Sequence, residues 1–95
     1  MLKAVKKVEI IVSEVEVSSV LKIFKKNQIK KYTVINNLSG TGKHGSLSDG
    51  LITNSHIMVI LPELEMLDIL SKELQPLLSK LGGIFIVTDA QWIDH

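Results

Sequence analysis

From Lys6 to Asp89 the apolar spacing of the chain switches between two periods, and that alternation limits its folds more than any other feature. Val8, Ile10 and Val12 recur every second residue with Lys7 and Glu9 between them, the pattern of a half-buried strand. Val17, Val20, Leu21 and Phe24 then fall at i, i+3, i+4 and i+7, the stripe of an amphipathic helix. Tyr32–Leu38 reads as a second strand, and Ser55–Leu61 as a third with Ile57, Val59 and Leu61 on one face. Leu67, Leu70, Leu74, Leu77, Leu78 and Leu81 restore the helical period, and Gly83–Asp89 reads as a last strand.

The order is β-α-β followed by β-α-β. It predicts an α+β, ferredoxin-like βαββαβ fold in which a four-stranded antiparallel sheet carries both helices on one face. At 95 residues the chain holds a single domain, 1–95, with a modest core of its own. Ser13 and Glu16 have the spacing of a capping box for the first helix, with Val12 and Val17 as its hydrophobic staple. Lys25 and Lys26 complement the dipole of its last turn, and Asn27 ends it. Pro62 opens the second helix, Pro76 predicts a kink or a new segment near Lys72–Gln75, and Gly82 reads as its C-terminal glycine. Ala90–His95 is expected to be a tail anchored by Trp92 and Ile93, with Trp92 packed at an interface. The alternation also leaves Ile11, Met58 and Ile60 on the sheet face without helices. An apolar face of that kind calls for self-association.

Between the second and third strands the chain turns glycine-rich, and a loop is expected at about 39–54. A loop this long without secondary structure of its own is uncommon in a small domain unless it has a task. Gly40, Gly42 and Gly45 allow close backbone approach, while Lys43 and His44 supply donors. Together they could cradle a phosphate or carboxylate-like anion, or give a hairpin its flexibility. The G-x-x-x-x-G-K-[ST] phosphate loop is absent, and this segment leads to a strand rather than a helix. Lacking an apolar stripe, residues 40–53 are expected to have low local stability without ligand.

Other chemistries lack support. The formal net charge of +1 gives no electrostatic case for nucleic acid or a membrane surface. The cluster Lys22, Lys25, Lys26, Lys30 and Lys31 reads as a solvated helix end. There is no cysteine, and His44, His56 and His95 fit no zinc spacing, so no metal site is expected. Glu63, Asp89 and Asp94 form no recognisable acid–base pair, and no catalytic residues are expected. No apolar run approaches the ~18 residues of a membrane span, and Met1–Lys7 lacks the apolar core of a signal peptide.

Three pieces of sequence carry a family resemblance. They are Tyr32-Thr33-Val34 running towards Gly40-Thr41-Gly42-Lys43-His44-Gly45, Leu81-Gly82-Gly83-Ile84 entering the last strand, and Thr88-Asp89-Ala90-Gln91-Trp92. In this order the chain resembles the PII-like signalling superfamily over nearly its whole length. The long loop stands where that family has its T-loop. The loop here has no tyrosine, the glycine turn before the last strand is short, and basic residues after that strand are missing. The chain therefore looks closer to a divergent branch that includes SbtB and carboxysome-associated PII proteins, linked to bicarbonate uptake. The resemblance implies a cytoplasmic homotrimer without enzymatic activity. Its intersubunit clefts would bind an adenine nucleotide (AMP, ADP, ATP or cyclic AMP) or bicarbonate, and its T-loop would signal to a membrane transporter or an enzyme. Carried onto this chain, the effector site would comprise Tyr32, Thr33, Val34, Gly40, Gly42, Lys43, His44, Gly45, Gly82 and Gly83. The alternative is a non-catalytic oligomeric interaction module with no small ligand.

Overall fold

The structure, a computed structural model, describes the backbone of residues 1–38, 41–42, 45–46 and 53–95, and the side chains of 1–36 and 53–95. The elements run β1 (Leu2–Ser13), a 3₁₀ turn (Glu14–Glu16), α1 (Val17–Lys26), β2 (Thr33–Leu38), β3 (Thr41–Gly42), β4 (Gly45–Ser46), β5 (Asn54–Leu61), α2 (Leu64–Leu81) and β6 (Ile84–Ile93). Four strands form one sheet in the order β2-β5-β1-β6, with every neighbouring pair antiparallel. This is the expected βαββαβ arrangement. Val8, Ile10 and Val12 of β1 and Ile57, Val59 and Leu61 of β5 meet Val20 and Phe24 of α1 and Leu70 and Leu74 of α2 in one buried cluster. Both helices therefore cover the same sheet face.

The other face follows from the register. Ile35, His56, Ile11 and Ile84 lie in one row across the sheet, and Thr33, Met58, Glu9 and Ile86 in the next. Ile35, Ile84 and Ile86 each expose nearly half their surface. The face is not wholly apolar: His56 Nε2 lies 3.0 Å from Glu9 Oε2, and Lys7 Nζ lies 3.5 Å from Glu9 Oε1.

Four expectations need correction. β1 begins at Leu2 rather than Lys6, and β6 runs to Ile93, because Leu2 pairs with Ile93 and Val5 with Ala90. The expected tail is thus mostly strand, a ribbon of β1 and β6 that overhangs the last β1–β5 pair at Lys6 and Leu61. The capping box does not form. Ser13 is still paired with Asn54 in the sheet and makes no cap bond, and a 3₁₀ turn precedes α1. The turn is held from outside, where the Glu14 N–H donates to the Thr53 carbonyl at 2.7 Å and the Thr53 hydroxyl donates to the Glu14 carboxylate. α2 runs unbroken through Pro76, so no new segment begins there. Pro76 and Lys72, whose carbonyl loses its helical donor, are both exposed, so solvent can satisfy that carbonyl. Finally, the glycine-rich loop has secondary structure of its own. Thr41 pairs with Ser46 and Gly42 with Gly45 in a small two-stranded ladder. The expectation of low stability over 40–53 falls largely outside the described residues.

Candidate functional site

The residues expected at the effector site divide between the two ends of the sheet. At one end β2 finishes at Leu38, which pairs with Asn54, and Asn54 pairs with Ser13. The glycine-rich loop leaves and returns here. The turn before β6 reaches the same end. Gly82 closes α2 in the left-handed region at φ 80°, its N–H donating to the Leu78 carbonyl at 2.8 Å. Gly83 follows against β1. A Cβ on it would stand 2.6 Å from Leu78 Cδ2, 2.9 Å from Val12 Cγ1 and 3.0 Å from the Ile11 carbonyl. Close packing thus explains this glycine. Gly42 and Gly45 face each other as a ladder pair, while Gly40, Lys43 and His44 lie outside the described residues.

Tyr32, Thr33 and Val34 stand at the opposite end. Thr33 pairs with Met58, five residues before Leu38, which is roughly 16 Å along a strand. Val34 packs against the core. Tyr32 is 41% exposed, and its ring meets that of buried Phe24 edge-on at 5.4 Å. One protomer therefore brings the loop base together with Gly82 and Gly83, and it holds Tyr32 and Thr33 apart from them.

A cleft of about 790 Å³ opens at the Tyr32 end, within the range of small-molecule sites. The α1–β2 connector from Asn27 to Thr33 forms one wall, and the segment Met58–Glu63 with Met66 forms another. Trp92 and His95 complete it. Their rings meet at 5.1 Å, and His95 Nδ1 lies 2.8 Å from the Ile93 carbonyl. The Trp92 indole N–H is buried and has no acceptor among the described residues. The sequence pointed to Tyr32 and Thr33, but it gave Met58, Met66 and His95 no part here. They are brought in by the sheet register and by the ribbon that carries β6 past the end of β5. The only available signal was Trp92, the single tryptophan of the chain. Among the described residues, no three histidine or acidic side chains converge as metal ligands. No helix among them is long and apolar enough to cross a membrane.

Residues 5–93 match the model of the family described as nitrogen regulatory protein P-II. No curated protein matches the sequence. Among solved structures, the chain is similar to CPII, a nitrogen regulatory PII-like protein from Thiomonas intermedia K12. In its complex with ADP, AMP and bicarbonate that protein is 28% identical, with TM-score 0.87 over 100% of this chain and 99% of the other. Its complex with ADP and bicarbonate aligns at 30% identity and TM-score 0.87, over 97% and 91% of the two chains. A PII-like signalling protein from Thermus thermophilus, 21% identical with TM-score 0.77 over 97% and 92% of the chains, shares the fold.

Proposed function

The chain belongs to the nitrogen regulatory protein P-II family, and from that membership we propose that it is a regulator whose effector site is shared between subunits. The observation that carries the reading is the division of the expected site residues between the two ends of the sheet. We assign Gly40, Gly42, Lys43, His44 and Gly45, carried by the loop that leaves and returns beside Gly82 and Gly83, with those two glycines to one half. Tyr32, Thr33, Val34 and the cleft beside Trp92 form the other. A head-to-tail homotrimer joins the loop half of one protomer to the cleft half of the next, as a closed ring of heterologous contacts requires. The isoleucine-rich sheet face supplies the apolar surface such an assembly buries.

The effector proposed is an adenine nucleotide, with bicarbonate as a second ligand. The similarity to CPII in complexes with ADP, AMP and bicarbonate supports this choice. Lys43 would offer charge to an anionic group, and the rings of Tyr32 and Trp92 in the cleft lining suit a base. The loop would then signal to a transporter or enzyme, with inorganic-carbon uptake as its setting.

Calorimetric titration with ADP and AMP, with and without bicarbonate, tests the reading. A saturable signal is expected, and ligand at a hundred times its dissociation constant should stabilise the fold by about 2.7 kcal/mol. Absence of heat and of any thermal shift with all three ligands would overturn it, leaving an oligomeric interaction module without a small ligand.

A further inference from the structure

Between Lys22 and Lys31 the chain carries five lysines and no acidic residue. Their arrangement in space differs from that of a uniformly solvated helix end. Lys26 is committed to α2, where its Nζ lies 3.2 Å from Glu73 Oε1. Lys22, Lys25, Lys30 and Lys31 are exposed and have no acidic partner among the described residues. Like charges this close repel one another, so a surface that holds them together without counter-charges has a standing preference for an anion.

The backbone gathers Lys22, Lys25 and Lys30 around a groove. α1 ends at Asn27, and Gln28 takes the left-handed conformation at φ 61°. The Gln28 N–H donates to the Lys25 carbonyl and the Ile29 N–H to the Phe24 carbonyl, at 3.1 and 2.9 Å. A non-glycine residue in this region costs about 1 kcal/mol, so the reversal is held by its surroundings. It turns the connector back along α1 and sets Lys30 opposite Lys22 and Lys25, across a groove of about 550 Å³. Leu21, Ile29 and Tyr32 give this groove an apolar floor. Leu21 and Ile29 pack against the core, and Tyr32 is propped on Phe24, so the floor is firm.

We propose that this groove is a docking surface for an acidic peptide segment of a partner protein, one that seats an apolar side chain between the lysines. Charge complementarity selects an acidic occupant. The recessed floor selects a side chain that can enter it, which a bilayer surface does not present. Nucleic acid is disfavoured because Tyr32, the one aromatic of the groove, is held edge-on to Phe24 within a short concavity instead of belonging to an extended stacking platform. Its α1 wall lies in the helix layer, while Gln28, Ile29, Lys30 and Tyr32 are shared with the neighbouring cleft. The proposal rests on the charge and shape of the groove rather than on the effector reading, and Lys22 and Lys25 lie outside the effector cleft.

Fluorescence anisotropy on the full chain without nucleotide tests it. The probes are a labelled peptide with glutamates flanking a central leucine, the same peptide with glutamines, a labelled poly-uridine strand, and vesicles containing phosphatidylserine. Saturable, salt-sensitive binding of the glutamate peptide is expected, with none for the glutamine peptide. The double variant Lys22→Glu/Lys25→Glu, at two groove residues outside the effector cleft, should weaken it about tenfold or more, while Lys72→Glu on α2 leaves it unchanged. Thermal melts and ADP titrations of the same variants separate loss of docking from loss of fold or of the effector site. No binding of the glutamate peptide, equal loss with Lys72→Glu, or tighter binding of the strand or the vesicles would overturn the proposal.

Discussion

Gly82 and Gly83 are adjacent, yet they are glycines for different reasons. Gly82 needs its left-handed φ of 80° to end α2, and any other residue there is strained in the backbone. Gly83 lacks room. Leu78 could rotate away from an added methyl, but Val12 is β-branched and buried, and the Ile11 carbonyl belongs to the sheet. Gly83→Ala should therefore destabilise the fold by about 1–3 kcal/mol through overpacking. Gly82→Ala should cost about 1 kcal/mol through backbone strain. Urea midpoints at one fixed protein concentration measure both, and a Gly83→Ala protein as stable as the parent would show that β1 can yield. The sequence marked both glycines as a turn that a ligand could approach. Only the first role was legible there, because the second depends on contacts with Ile11 and Val12, about seventy residues earlier.

Elements with a strong internal period were legible, and those set by partners distant in sequence were not. The stripe of α1 and the alternation of β1 and β5 are local, and the fold follows from them. The capping box looked equally local, yet it lost to the sheet. Ser13 stays paired with Asn54, and Glu14 is held by Thr53 across the loop. The overhanging ribbon was missed because Met1–Val5 and Ala90–Ile93 show weak alternation apart and gain their structure by pairing. Pro76 shows the reverse, a strong local signal that solvent exposure softens. Its cost remains, since a proline inside a helix is less favourable than alanine by about 3 kcal/mol. Pro76→Ala should restore the hydrogen bond to the Lys72 carbonyl and stabilise the protein by about 1–3 kcal/mol. The melting temperature should rise by about 4–8 °C for each kcal/mol. A lowered melting temperature would show that the helix depends on the proline.

At the scale of the whole molecule, one protomer cannot complete the proposed site, because Thr33 and the loop base stand at opposite ends of β2. This division makes the shared site testable without a further structure. Gly42→Trp should block the loop half sterically. Thr33→Glu, at an exposed position, should repel an anionic ligand from the cleft half. Each variant alone should assemble and fail to bind ADP. If the two are mixed and allowed to exchange subunits, some interfaces will take their loop half from a Thr33→Glu protomer and their cleft half from a Gly42→Trp protomer. Such an interface contains neither substitution. Random exchange of equal amounts gives about a quarter of interfaces this composition, because each half is intact with a chance of about one in two in a head-to-tail ring. Calorimetric stoichiometry should therefore rise from zero to about a quarter of the parent value, with the parent dissociation constant. A site built within one protomer predicts no recovery at any mixing ratio, since every chain in the mixture carries a damaged half. Recovery would show that the two halves come from neighbouring subunits, and light scattering on the same mixture distinguishes a trimeric ring from a two-fold dimer, which gives the same quarter.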